Sequence, residues 1–204
     1  TNGSVIEEAM DVIKKWWVIP ELSFVSQFYK EEFYLKGFEE KGNAHDFKEY
    51  DHVLFSFHGL PERHVDKVYK DGLCKDNDCE HGINDENVFC YKATCYETAI
   101  QLAKRFKLKE EDYTVGFQSR LGRGWIEPFS DEIIADLAKK GAKKLLVFSP
   151  AFVADCLETI IEIGDEYQEL FEEHGGEKVQ LVESLNSSDT FVHGLKEMIL
   201  KRSL

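Results

Sequence analysis

Four short apolar runs do most to restrict the fold: "HVLFSF" at 52–57, "YTVGFQS" at 113–119, "KLLVFS" at 144–149 and "KVQLVES" at 178–184. Each is too short for a core helix. The first is a nearly unbroken apolar run, which reads as a strand covered on both faces, and the others look alike. Helically spaced apolar residues fill the intervals, over about 92–106, 129–140, 156–174 and 188–202. Strand and helix in alternation make the strands parallel and joined by right-handed crossovers. The expected fold class is α/β: an open parallel sheet with helices on both faces, a three-layer α/β/α sandwich. Upstream, Val5, Ile6, Ala9, Met10, Ile13, Trp16 and Trp17 predict a helix over 3–17, with Pro20 beyond its end. Residues 22–28 suit a short strand, and 29–50 an amphipathic helix.

The chain of 204 residues carries 25 Lys and Arg against 39 Asp and Glu, a net charge of −14. Nucleic-acid binding through phosphates needs clustered cations and is excluded as the main function. Such a balance is compatible with cation handling. No apolar run of about 18 residues is present, so no membrane span is expected, and no signal-peptide pattern is found. The sequence begins at Thr1, not Met, as expected of a processed or partial chain.

Ligands of open α/β sheets bind beyond the carboxyl ends of the strands. The 52–57 strand runs into "SFHGLPER", which places His58 at its end before Gly59 and Pro61 turn the chain. The 144–149 strand runs into "PAFVADCLE", where Pro150 breaks the strand and Asp155 to Glu158 open a helix. In a parallel sheet these ends share one edge, so His58 and Glu158 can face one cleft. Histidine with carboxylate suits a first-row divalent metal or acid–base work. The 113–119 strand runs into "RLGRGWIEPF", a loop in which Trp125 can line a flat aromatic ligand. Below Glu158, Glu162 and Glu166 repeat at four-residue steps, and no Lys or Arg occurs from Ala151 to Leu170. Like charges at that spacing repel by a few tenths of a kcal/mol per pair. The helix dipole accounts for Asp155 and Glu158 but not for the two glutamates beyond the first turn.

A second pattern is C-x4-C-x10-C-x4-C, formed by Cys74, Cys79, Cys90 and Cys95. Four thiolates can hold a [2Fe–2S] cluster or a structural zinc. Free thiols or two disulfides are the alternatives, the latter disfavoured in a reducing compartment. Asp76, Asp78 and Glu80 around the cysteines suit a surface loop.

Together, "LFSFHGLPERHV", "VGFQSRLGRGWIEPFSDEIIADLAKKGAKKLLVFSPAFVADCLETIIEI" and "VESLNSSDTF" resemble ferrochelatases, enzymes that insert ferrous iron into a porphyrin. The resemblance covers most of the chain from about residue 50 onward and is weaker before it. It implies a chelatase-like domain over 1–204, equivalent to the carboxyl-terminal half of a two-domain enzyme. The absent amino-terminal half would complete the porphyrin cleft, and the fragment would be inactive alone. It also implies His58 and Glu158 as catalytic and metal-binding residues, with Glu162 and Glu166 as further metal ligands. Trp125 and Phe152 would stand beside the porphyrin, protoporphyrin IX or coproporphyrin III. Residues 72–91 resemble an insertion like that of bacterial members with a [2Fe–2S] cluster, here on Cys74, Cys79, Cys90 and Cys95. Cys156 stands where mitochondrial members have a histidine, which favours a bacterial, cytoplasmic source, with membrane association open. The alternatives are a cobalt or nickel chelatase acting on another tetrapyrrole, or a non-catalytic metal- or haem-binding module. The first alternative resembles this chain at the sheet and histidine but lacks the "FQSRLGRGW" and "FVADCLETIIEI" runs.

Overall fold

The computed structural model describes residues 2–202. Four strands, β1 (His52–His58), β2 (Tyr113–Gln118), β3 (Lys144–Phe148) and β4 (Lys178–Leu181), form one sheet in the order β2-β1-β3-β4. Every pairing is parallel, as the alternation of strands and helices predicts. The helices are α1 (Asn2–Ile13), α2 (Glu32–Gly42), α3 (Glu62–Val65), α4 (Tyr91–Phe106), α5 (Ser130–Lys139), α6 (Leu157–Ile160), α7 (Tyr167–Glu173) and α8 (Asp189–Arg202). A π-helical turn, Glu162–Glu166, lies between α6 and α7.

The sheet is apolar on both faces, so each needs a cover. Val53, Phe55 and Phe57 of β1 point into a core with α2 and α4 side chains, including Phe38 and Leu102. Leu54, with Leu145 and Val147 of β3, points into a second core closed by Ile134 of α5 and Phe171 of α7. The alternation along β1 thus feeds two hydrophobic layers, and the three-layer sandwich is observed. All five interior residues of β1 are buried.

Four upstream and edge expectations change. Residues 22–28 form no strand. Phe28 packs on rings instead, meeting Phe33, Tyr34 and Phe191 at centroid distances of 6.4, 5.6 and 6.5 Å, while Leu22 and Phe24 are exposed. The helix expected over 29–50 shortens to α2, which ends at Gly42 and Asn43, followed by a single 3₁₀ turn at Phe47–Glu49. β4 stops at Leu181 because the chain then leaves the sheet, and the Ser184 N–H donates to Asp155 at 3.1 Å. α1 forms but ends at Ile13, four residues short of the expected 3–17, so Trp16 and Trp17 lie outside it; Val5 and Val12 stay exposed and Trp17 is fully so. Among the described residues no helix is long and apolar enough to cross a membrane.

Candidate metal-handling site at the sheet edge

β1 delivers His58 to the carboxyl edge, half-buried. Its Nδ1 lies 2.5 Å from the carbonyl oxygen of Gly59. A carbonyl only accepts, so in the neutral imidazole Nδ1 carries the proton and Nε2 is left with its lone pair. The imidazole lies near two aromatic rings, 6.5 Å from Trp125 and 5.9 Å from Phe152 by centroid. The Tyr91 hydroxyl donates to the His58 carbonyl at 2.8 Å. Gly59 permits this packing: a Cβ there would lie 2.8 Å from the Gln118 carbonyl and 3.2 Å from the Trp125 ring. Trp125 is half-buried at the base of its loop, on Gly59, while Leu121 is 88% exposed nearer the loop tip. Phe152 follows β3, and the Tyr34 hydroxyl holds that segment by donating to the Pro150 carbonyl at 2.7 Å.

Gln118 is the register partner of His58 on β2. Its side chain is buried and its Nε2 donates to the Glu158 carbonyl at 2.7 Å, so the histidine strand and the acidic helix are tied through one amide. The Glu158 carboxyl is held below the usual carboxylate range, chiefly by a hydrogen bond from the Cys156 thiol. Its own backbone N–H adds to this against a desolvation that raises it, and a positive charge on His58 lowers it further. Glu158 is therefore an anion at neutral pH within electrostatic reach of His58.

The acidic row is real but its members differ. Glu158, Glu162 and Glu166 line one shallow groove of about 340 Å³, with Leu121 and Leu157. Four-residue steps on a regular α-helix drift by about 40°. The π turn, in which the N–H groups of Asp165 and Glu166 both donate to the Ile161 carbonyl at 3.0 and 2.9 Å, winds more widely and keeps Glu162 and Glu166 on that groove. Glu166 is exposed. The Glu162 carboxylate accepts from the Ser119 N–H and hydroxyl, from Gln118 and from Tyr167. Asp155 is not part of the row. It accepts from Asn186 Nδ2 at 2.7 Å and from the Ser184 N–H, pinning the β3 and β4 ends together.

Of the four patterned cysteines, three converge. The sulfurs of Cys74, Cys79 and Cys90 lie 3.4, 3.7 and 3.9 Å apart, all buried. Among the described residues they are the one group of three or more His, Cys, Asp or Glu donors drawn within 4.8 Å of one another. A tetrahedral site with metal–sulfur bonds near 2.3 Å has edges of about 3.8 Å, so the triad is spaced for one iron or zinc. Cys95, five residues along from Cys90 and buried within α4, stands outside the triad. The donor set fits a thiolate metal centre in its chemistry. The Cys90 thiol is drawn down to about 5, first by the hydrogen bond from Cys74, against burial, then by Tyr69 and the Ala93 N–H, whereas the bond to Cys90 pushes the Cys74 thiol up and burial pushes up Cys79 and Cys95. The Tyr69 hydroxyl lies 3.1 Å from the Cys79 sulfur. His81 pairs with the exposed Asp78 instead.

Nothing in the sequence marks Ser119, Tyr91 or Tyr167 as part of the site, and Gln118 shows only as an amide at the end of an apolar strand.

A parallel open sheet with a histidine, an ionised carboxylate and an acidic groove at its carboxyl edge defines an α/β protein of the chelatase-like class. The ferrochelatase family model matches residues 1–203, and the chain belongs to that family. It is 43% identical over 199 residues to the ferrochelatase of Pseudomonas fluorescens, covering 96% of this chain and 58% of that protein. It is 42% identical to that of Pseudomonas syringae over 97% of this chain and 59% of the relative. It is 40% identical to that of Legionella pneumophila strain Lens, with the same coverage. The chain therefore spans a little under three fifths of the length of these relatives.

Proposed function

We propose that this chain carries the metal-insertion machinery of a ferrochelatase, placing Fe(II) into protoporphyrin IX or coproporphyrin III in late haem synthesis. The observation that carries it is the fixed tautomer of His58, which leaves Nε2 as a base at the sheet edge, on the side of an ionised Glu158. Two pyrrole protons must leave as the metal enters. Nε2 accepts one from the macrocycle face, and Glu158 ligates the incoming iron or relays a proton outward. Glu162 and Glu166 extend negative potential along the groove and raise the local concentration of a divalent cation. Trp125 and Phe152 lie near the imidazole and offer aromatic surface to the porphyrin. Distortion of the macrocycle would be strain offset by binding energy elsewhere in the cleft.

A cleft with one wall cannot hold a macrocycle, so a further domain, absent from these 204 residues, is proposed to complete it. The 72–91 segment is proposed as an insertion in the 1–204 domain, holding a [2Fe–2S] cluster on Cys74, Cys79, Cys90 and Cys95. Three buried thiols already within contact and one more in the helix that Cys90 caps support this reading. Such a cluster, when bound, would supply a one-electron couple and cross-link the loop. A bacterial cytoplasmic setting suits reduced cysteines.

The test of function is an iron-insertion assay on the complete gene product with both porphyrins. Incorporation of Fe(II) into either supports the reading. Tight porphyrin or haem binding without insertion would mark a binding module.

A further inference from the structure

We propose that Glu162 is a positioning residue: its carboxylate latches the π turn of the acidic helix to the end of β2 and so fixes where Glu158 stands relative to His58. The inference rests on the iron-insertion reading above.

A carboxylate offers about four acceptor positions, and Glu162 fills them. Oε1 accepts from the Ser119 N–H at 2.6 Å and the Tyr167 hydroxyl at 3.1 Å. Oε2 accepts from the Ser119 hydroxyl at 2.5 Å and Gln118 Nε2 at 3.1 Å. A cation passing along the groove meets the charge of Glu162 but no free lone pair. Glu166, by contrast, is exposed.

The backbone is bent to make this latch. Ser119 has φ of +60°, a left-handed conformation that a residue with a Cβ enters at a cost. In that conformation its N–H and hydroxyl converge on one carboxylate. Strain of this kind persists where surrounding contacts over-determine it and clusters at functional sites. Gln118 is anchored in turn. Its Oε1 accepts from Ser56 of β1 at 2.8 Å and from Ser149, just past β3, at 3.5 Å. Its Nε2 serves both Glu162 and the Glu158 carbonyl. The ends of three strands are thereby tied to the helix that bears Glu158. Glu158 lies one turn before Glu162 on that helix, so a slipped latch displaces it directly.

The test is steady-state iron insertion by the complete gene product, varying Fe(II) at saturating porphyrin. The variants are E162Q, Y167F, S119G and the E162Q/Y167F pair, with Tm measured for each. E162Q turns donors toward donors. Y167F and S119G remove one partner each, and glycine suits the left-handed backbone. The expected kcat of E162Q is about tenfold to a hundredfold lower, with the KM for Fe(II) within about threefold. Y167F and S119G lower kcat by a few-fold, and the pair is no slower than E162Q alone. A large rise in KM for Fe(II), with kcat restored at saturating metal, would assign Glu162 to coordination and overturn the latch. So would Y167F and S119G variants with unchanged kcat, or variants altered only in Tm. An unsubstituted enzyme that inserts no iron defeats the functional reading and the inference with it. An active enzyme with these insensitive variants defeats the inference alone.

Discussion

The Tyr91 hydroxyl donates to the backbone carbonyl of His58, and Tyr91 directly follows Cys90. The cysteine centre and the sheet-edge histidine are thus one hydrogen bond apart through the first residue of α4. Y91F leaves the ring packing in place and removes that bond. The expected destabilisation is about 1 kcal/mol, read by denaturant unfolding, with a several-fold loss of iron insertion. Unchanged activity would show that the bond does not orient His58.

Gly59 predicts a steric effect. A Cβ there would meet the Gln118 carbonyl at 2.8 Å and the Trp125 ring at 3.2 Å. G59A must push β1 from β2 at the His58 end or displace the indole. The expected cost is about 1–3 kcal/mol, accompanied by a changed tryptophan fluorescence and a higher porphyrin KM. A variant with wild-type fluorescence and KM would mean that Trp125 is not seated as described.

The cysteine centre predicts a composition. Protein purified anaerobically should hold about two iron and two sulfide per chain, with visible thiolate-to-iron absorption. C74S, C79S or C90S should each abolish that colour and lower Tm. One zinc per chain in a colourless protein would fit the single-ion spacing of the triad and displace the iron–sulfur reading. Cys95 is the informative fourth position: C95S should bleach a two-iron cluster but spare a three-thiolate zinc.

Acid sensitivity follows from two aspartates. Asp51 is held below the usual range by the Lys143 and Lys144 N–H groups, which it accepts at 2.7 and 2.9 Å. Burial pushes Asp155 up, and the bonds from Asn186 and Ser184 more than reverse it. A carboxyl with a lowered folded pKa binds protons more readily unfolded. Its stabilisation is therefore complete above the ordinary aspartate value of about 3.9 and is lost as pH falls through the folded value. The Tm of the wild type should fall below about pH 4, and D155N should flatten that slope. A D155N profile parallel to wild type would remove Asp155 as a contributor.

Much of this was legible in the amino-acid sequence for a physical reason. Strands buried on both faces are largely apolar along their length, so β1, β2 and β3 stand out, and their carboxyl ends lead to His58, Trp125 and Glu158. What was hidden depends on the backbone or on partners distant in sequence. The left-handed Ser119 has no glycine to mark it. The Gln118 link to Glu158 requires the β1–β2 register. The π turn leaves the four-residue spacing of the glutamates unchanged, so saturation of Glu162 and exposure of Glu166 look alike in sequence. The 22–28 run misleads because aromatic packing and strand pairing ask for the same residues.

The central claim is that His58 and Glu158 act as a pair in metal insertion. It is tested most directly by measuring Fe(II) insertion into porphyrin with the H58A and E158Q variants of the complete gene product. Loss of about 10²–10⁴-fold in kcat for H58A, a comparable loss for E158Q and a non-additive double variant are expected. Insertion by both single variants at the unsubstituted rate would contradict the account.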